Sequence, residues 1–177
     1  MRDLVVRVAG NDDLPLLCAV NGSPPELVRA RLDRGDLGFL GLVRDRVVCK
    51  TWFHKGPTPF AEDADNIVVW QLAPTTFWSY DGAAVPEAMA TGVFIKMFVD
   101  GIRQLFERHG ASRVLGTIRD QNRPSLALHD RLGFHRAGTV TTLTVPGWKW
   151  VHWHDAAGAR QWIVRRGKPF SIDPAPR

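Results

Sequence analysis

From about Thr91 to Arg108 the sequence repeats apolar residues at helical spacing: Val93, Phe94, Met97, Phe98, Ile102, Leu105 and Phe106. Lys96, Asp100, Arg103, Gln104 and Glu107 fall on the opposite side. A helix striped in this way must lay its apolar face on something flat, and β-rich runs precede and follow it in the chain. Gly110 closes the helix as a left-handed C-cap. One long amphipathic helix set among strands predicts a sheet with helices on its faces.

The remaining elements follow from the same reasoning. Leu4 to Ala9 reads as a strand, and Asn11, Asp12 and Asp13 offer caps to a helix carrying Leu14, Leu17 and Cys18. Ser23-Pro24-Pro25-Glu26 has the form of a capping box with proline at the first helical position, opening a short helix that stops by Gly35. Leu37 to Val43 and Val47 to Phe53 are predicted to pair through Arg44-Asp45-Arg46, a connection of hairpin length. A Pro- and acid-rich loop covers residues 54–65, and two extended runs, 67–72 and 76–85, are separated by Pro74. Beyond the long helix come a strand over 114–118, a helix over 124–132 ended by Gly133, and a strand over 134–145. Pro146-Gly147 turns the chain into Trp148 to His154, with a last strand over 160–164. The expected fold is α/β of the α+β type: a mixed, mostly antiparallel central sheet of about seven strands flanked by helices. It is expected as a single domain over residues 1–166, with a loosely held tail over 167–177.

The 177 residues are 45% hydrophobic, enough for a core without disulfide or metal staples. No apolar run approaches the roughly 20 residues of a membrane span, and charges flank the short apolar stretch at the N-terminus, so a mature cytoplasmic chain is expected. Cys18 and Cys49 read as buried small hydrophobes. His152 and His154 lack a third ligand at metal-site spacing, and no metal is expected. Residues 1–88 carry a net charge of −3 and residues 89–177 a net charge of +8. That asymmetry suits an anionic ligand such as a phosphorylated cofactor. On the strand from Trp148 to His154, aromatic residues fall on both faces. Core or homodimer packing is favoured there, with an acceptor-pocket wall and a stacking platform as the other readings.

The segment Asn122-Arg-Pro-Ser125-Leu-Ala-Leu-His129-Asp-Arg131-Leu-Gly133-Phe134 resembles the GNAT superfamily of acyl-CoA N-acyltransferases. Its pattern N-x-x-[AS]-x-x-x-Y-x-[KR]-x-G-F is met throughout, except that His129 stands where tyrosine is usual. A structural account of the same residues also stands, in which Pro124 starts a helix, Gly133 ends it and Phe134 packs back. The family's second signature, [QR]-x-x-G-x-[GA] before the long helix, aligns with Glu87-Ala88-Met89-Ala90-Thr91-Gly92. Gly92 matches strictly, Ala90 replaces the first glycine and Glu87 replaces Gln or Arg.

The resemblance implies acetyl-CoA or another acyl-CoA as donor and a small-molecule or peptide amine as acceptor, in preference to nucleic acid. It implies cofactor contacts from Val85, Ala90, Thr91, Gly92, Val93, Asn122, Ser125 and Arg131, with a backbone N–H near Val85 polarising the thioester carbonyl. His129 is the candidate acid for the departing thiolate. Tyr80 and Asp81 are candidates facing the acceptor, and His54 and Glu62 are weaker ones. Two alternatives stay open: a binding module that keeps the fold without the chemistry, and a transferase drawing on a carrier-protein or RNA-linked donor.

Overall fold

A computed structural model describes residues 3–61, 68–89, 91–145, 148–156, 158, 160–165, 170–172 and 174. The chain divides into two compact units, Met1–Lys55 with Thr75–Gly116, and Gly56–Pro74 with Thr117–Arg177.

The first unit is built on five strands: β1 (Leu4–Val8), β2 (Leu37–Val43), β3 (Arg46–Lys55), β6 (Thr76–Ala84) and β7 (Arg113–Gly116). They lie in the order β1-β2-β3-β6-β7. All neighbours are antiparallel except β6 and β7, which run parallel over Thr76–Ser79 and Arg113–Gly116. Two short helices, α1 (Leu14–Ala19) and α2 (Pro25–Asp33), follow β1. The one-turn α3 (Pro86–Met89) leads into the long α4 (Val93–Arg108).

Alternation along β3 sorts its side chains between the two faces. Phe53 stacks on Phe98 of α4 at 6.2 Å between ring centres. Lys50, of opposite parity, reaches the Leu17 carbonyl of α1. The buried positions of α4 are Val93, Met97, Phe98, Gly101 and Leu105. Phe106, expected on the apolar face, is 47% exposed. The contact line runs instead through Gly101, where an added Cβ would lie 3.4 Å from the Phe39 ring; the absence of a side chain brings the helix close to the sheet.

The local signals were met unevenly. Gly110 adopts φ 70° as a left-handed C-cap. Ser23 does not cap α2: Pro24 occupies that position, and the Ser23 hydroxyl donates to Asn21 at 2.7 Å and accepts from the Lys50 ammonium at 2.9 Å. A buried ammonium competes better for that oxygen than a helix amide open to water.

In the second unit β8 (Gly138–Val145), β9 (Trp148–Asp155) and β10 (Arg160–Arg165) form an antiparallel sheet. A smaller one joins β4 (Phe60–Ala61), β5 (Val68–Trp70) and β11 (Phe170–Ile172). Thus part of the segment expected as a loose tail pairs in parallel with β5, and Ile172 is buried. Trp70 and Trp153 meet edge to face at 5.8 Å. On the opposite face of β9, Trp148 is 47% exposed, whereas Trp150, His152 and His154 are half-buried. Helix α5 (Arg123–Arg131) precedes the sheet, and β8 begins at Gly138, because Phe134 is used to close α5. Among the described residues, no helix is long and apolar enough to cross a membrane.

Candidate functional site

The pairing of β3 with β6 is irregular at one point: Lys50 faces Ala83 and Trp52 faces Tyr80, leaving Asp81 and Gly82 opposite Thr51 alone. This is a β-bulge, and Asp81 takes the left-handed conformation with φ 46°. A bulge interrupts alternation, so consecutive side chains turn to one face. Tyr80 and Asp81 accordingly both reach groups on the α1–α2 side.

Asp81 ion-pairs with Arg31 of α2 and accepts from the Asn21 side chain at 3.2 Å. The Arg31 guanidinium lies against the rings of Trp52 and Tyr80, at 5.4 and 5.0 Å from their centres. Lys50, fully buried, completes the cluster with its ammonium 3.8 Å from Asp81. Burial pushes the Lys50 pKa down, against the opposing pull of Asp81. The sequence signal for Lys50 was a single cation inside the run Val47-Val48-Cys49-Lys50-Thr51-Trp52-Phe53.

Tyr80 belongs to a second cluster. Its hydroxyl donates to Asp36 at 2.5 Å, while Asp36 also binds His54 Nδ1 at 2.6 Å and Arg34 Nη2 at 2.5 Å. Burial raises the Asp36 carboxyl, and the hydrogen bonds from His54, Arg34 and Tyr80 outweigh it, holding the group below the usual carboxylate range. Burial first, then the Asp36 carboxylate, raises the Tyr80 phenol well above its ordinary value. The Tyr80 proton is therefore committed to Asp36 near neutral pH. His54 lies within β3 rather than in a loop, and Glu62 lies outside the described residues.

Beyond the bulge the open edge of β6 becomes important. Pairing with β7 ends at Ser79 and Gly116, yet β6 continues to Ala84. The Val85 amide donates to the Val48 carbonyl at 2.9 Å. Because backbone groups alternate along a strand, the Ala84 N–H then points away from β3, toward the open edge. Sequence spacing alone had no means of choosing between the two amides.

The turn ahead of α4 is more closed than the family pattern implies. Thr91 N and its hydroxyl both donate to the Ala88 carbonyl, at 3.2 and 2.8 Å, and Val93 N donates to the Thr91 hydroxyl at 3.4 Å. Gly92 caps α4 with φ 73°, a conformation that explains glycine at this position. Helix geometry leaves the first-turn N–H groups of α4 without intrahelical partners, an arrangement suited to an anion. Glu87 is exposed on α3, and Ala90 lies outside the described residues.

Asn122, Ser125, His129 and Arg131 all lie on or beside α5, in the second unit. The Asn122 side chain accepts from Ser125 N at 3.2 Å and so caps the helix. Asn122→Ala is expected to cost about 1 kcal/mol of stability, and Asn122→Asp to recover most of it, as read from denaturant midpoints. At the other end Phe134 N donates to the His129 carbonyl and Gly133 N to that of Asp130, the two bonds of a Schellman motif. The His129 ring packs against Phe134 at 5.0 Å, and its Nδ1 donates to the Ser125 carbonyl at 2.8 Å. Arg131 is exposed. No group of three or more metal-binding side chains occurs among the described residues.

No family model matches the chain, and no curated protein matches it in sequence. Solved structures match it in fold. The ribosomal-protein-S18-alanine N-acetyltransferase from Escherichia coli is 14% identical, with a TM-score of 0.62 over 91% of this chain and 90% of that one. AAC(6')-Iy, in complex with the bisubstrate analogue CoA-S-monomethyl-acetylneamine, is 14% identical, with a TM-score of 0.61 over 80% and 97%. An aminoglycoside acetyltransferase, meta-AAC0020, from an uncultured soil metagenomic sample and in complex with sisomicin, is 16% identical, with a TM-score of 0.59 over 81% and 96%.

Proposed function

We propose that this chain, which has the GNAT or acyl-CoA N-acyltransferase fold, transfers an acetyl or other short acyl group from acyl-CoA to a primary amine. We take residues 1–166 as one functional domain, an extent supported by the 91% coverage in the likeness to the Escherichia coli enzyme. The observation that carries the reading is the open edge of β6, where the bulge and the end of β7 pairing leave the Ala84 N–H with no strand opposite it among the described residues.

In this reading the acyl carbonyl oxygen accepts from Ala84 N–H, which stabilises the negative charge that develops there as the amine attacks. The new N–C bond forms, the C–S bond breaks, the amine gives up a proton and the CoA thiolate takes one. His129 is the proposed donor to sulfur, its ring oriented by the bond from Nδ1 to Ser125. Gly92, Val93 and the first turn of α4 are proposed to hold the pyrophosphate. Asp81 and Tyr80, engaged by Arg31 and by Asp36, act here by fixing the bulge rather than by moving protons.

A second reading keeps the fold as a binding module without CoA chemistry, favoured by the closed turn at Thr91. Melting with and without about 1 mM acetyl-CoA separates the two, since ligand at about 100 times its Kd adds about 2.7 kcal/mol. A rise of several degrees with acetyl-CoA and with CoA, but not with ATP, is the expected result. No rise with either thioester or thiol removes the acyltransferase reading.

A further inference from the structure

The first unit also holds a groove of about 490 Å³ between α1 and the β2–β3 turn, which none of the chemistry above uses. Its apolar lining includes Leu16, Val20, Val47 and Val85. Its rim is the turn itself, where Arg44, Asp45 and Arg46 are all exposed. Arg44 and Asp45 have φ of 50° and 64°, the left-handed pair of a two-residue hairpin turn that Asn and Gly fill most easily. Local ease does not explain an arginine at such a position.

The charges there select a ligand. Two guanidinium groups stand against one carboxylate on the rim. The carboxylates of the α1–α2 side near the bulge are already engaged, Asp81 by Arg31 and Asn21, and Asp36 by Arg34, His54 and Tyr80. A polycationic acceptor would find neither of them available. A carboxylate, by contrast, finds Arg groups suited to planar, two-pronged recognition, beside an apolar surface that holds the rest of the molecule. Val85, on the groove wall, is joined by one peptide bond to Ala84. An excess of positive charge also favours the neutral form of an arriving amine, the form that attacks.

We propose that this groove is the acceptor subsite and that the acceptor is an amine bearing an apolar body and a carboxylate, the carboxylate meeting Arg44 and Arg46. The assignment rests on the acyltransferase reading. It assigns an acceptor class different from the aminoglycosides named with two of the solved structures of similar fold.

The test is thiol release from acetyl-CoA with L-leucine and L-phenylalanine, with isoamylamine and 2-phenylethylamine as their carboxylate-free counterparts, and with spermidine. The amino acids are expected to show KM at least about tenfold below their counterparts, a difference of about 1.4 kcal/mol, with spermidine the poorest substrate. Arg44→Asn combined with Arg46→Gln is expected to raise KM for the amino acids by a similar factor and to leave KM for acetyl-CoA unchanged; Asn at position 44 accepts the left-handed backbone. Melting with N-acetyl-L-phenylalanine alone reports the groove without requiring turnover, and a rise that the double variant abolishes is expected.

A preference for spermidine or for the carboxylate-free amines overturns the proposal. So does a double variant that weakens acetyl-CoA instead of the amino acid. Stabilisation by acetyl-CoA with no response to any carboxylate ligand overturns the groove assignment alone. Stabilisation by N-acetyl-L-phenylalanine with none by acetyl-CoA overturns the acyltransferase reading, and the acceptor role with it.

Discussion

Replacing Ala84 with proline is expected to lower kcat by about 10²–10³-fold, the usual cost of removing one preorganised donor to a developing oxyanion. The substitution deletes a single N–H. That group points to the open edge of β6, so no ladder hydrogen bond is lost, and an edge position is where a strand tolerates proline. The preceding residue, Ala83, is already extended, as a residue before proline prefers to be. Ala84→Ser keeps the N–H and is expected to keep kcat within a few-fold, as its side chain is only half-buried. Steady-state kinetics on both variants, with melting temperatures as the control for folding, decide the matter. A proline variant of wild-type kcat would remove Ala84 from the reaction.

Asp36→Asn is expected to cost about 3–5 kcal/mol of stability, the range for breaking a buried ionic group away from its partners. Asp36 is 5% exposed and satisfies Arg34, His54 and Tyr80 at once. The asparagine amide has one acceptor oxygen in place of two and brings two donors into a site already full of donors. The pH dependence gives a second signature. The folded carboxyl sits below its unfolded pKa, so its stabilisation is complete above the ordinary carboxylate range and is lost as pH falls through the folded value. Urea midpoints are expected to separate the two proteins most near neutrality and to converge in acid. Equal midpoints at neutral pH would mean that the cluster contributes nothing net.

These two residues also mark the limit of what the sequence makes legible. Gly110 and Gly133 were readable because a positive φ admits few residues, and the stripe on α4 was readable because helical period is a property of the chain itself. The α5 pattern carried the resemblance for the same reason, with its cap, its Schellman glycine and Phe134 all local. Asp36, by contrast, is an ordinary acidic residue beside a glycine, and its three partners come from α2's end, β3 and β6. Ala84 carries no signal, since the property that matters is the direction of its N–H.

Element order, helix and turn signals, and the likeness of two segments to an acyltransferase pattern were determined by the sequence, because each depends on neighbours within a few residues. Tertiary structure decided the rest. It placed one extra residue in β6 opposite β3, which turned Tyr80 and Asp81 to one face and the Ala84 amide to the open edge. It also gave the Ser23 hydroxyl to a buried ammonium rather than to a helix end. Register and burial follow from which strands meet, and a pairing between residues far apart in the chain leaves no periodic trace in either partner.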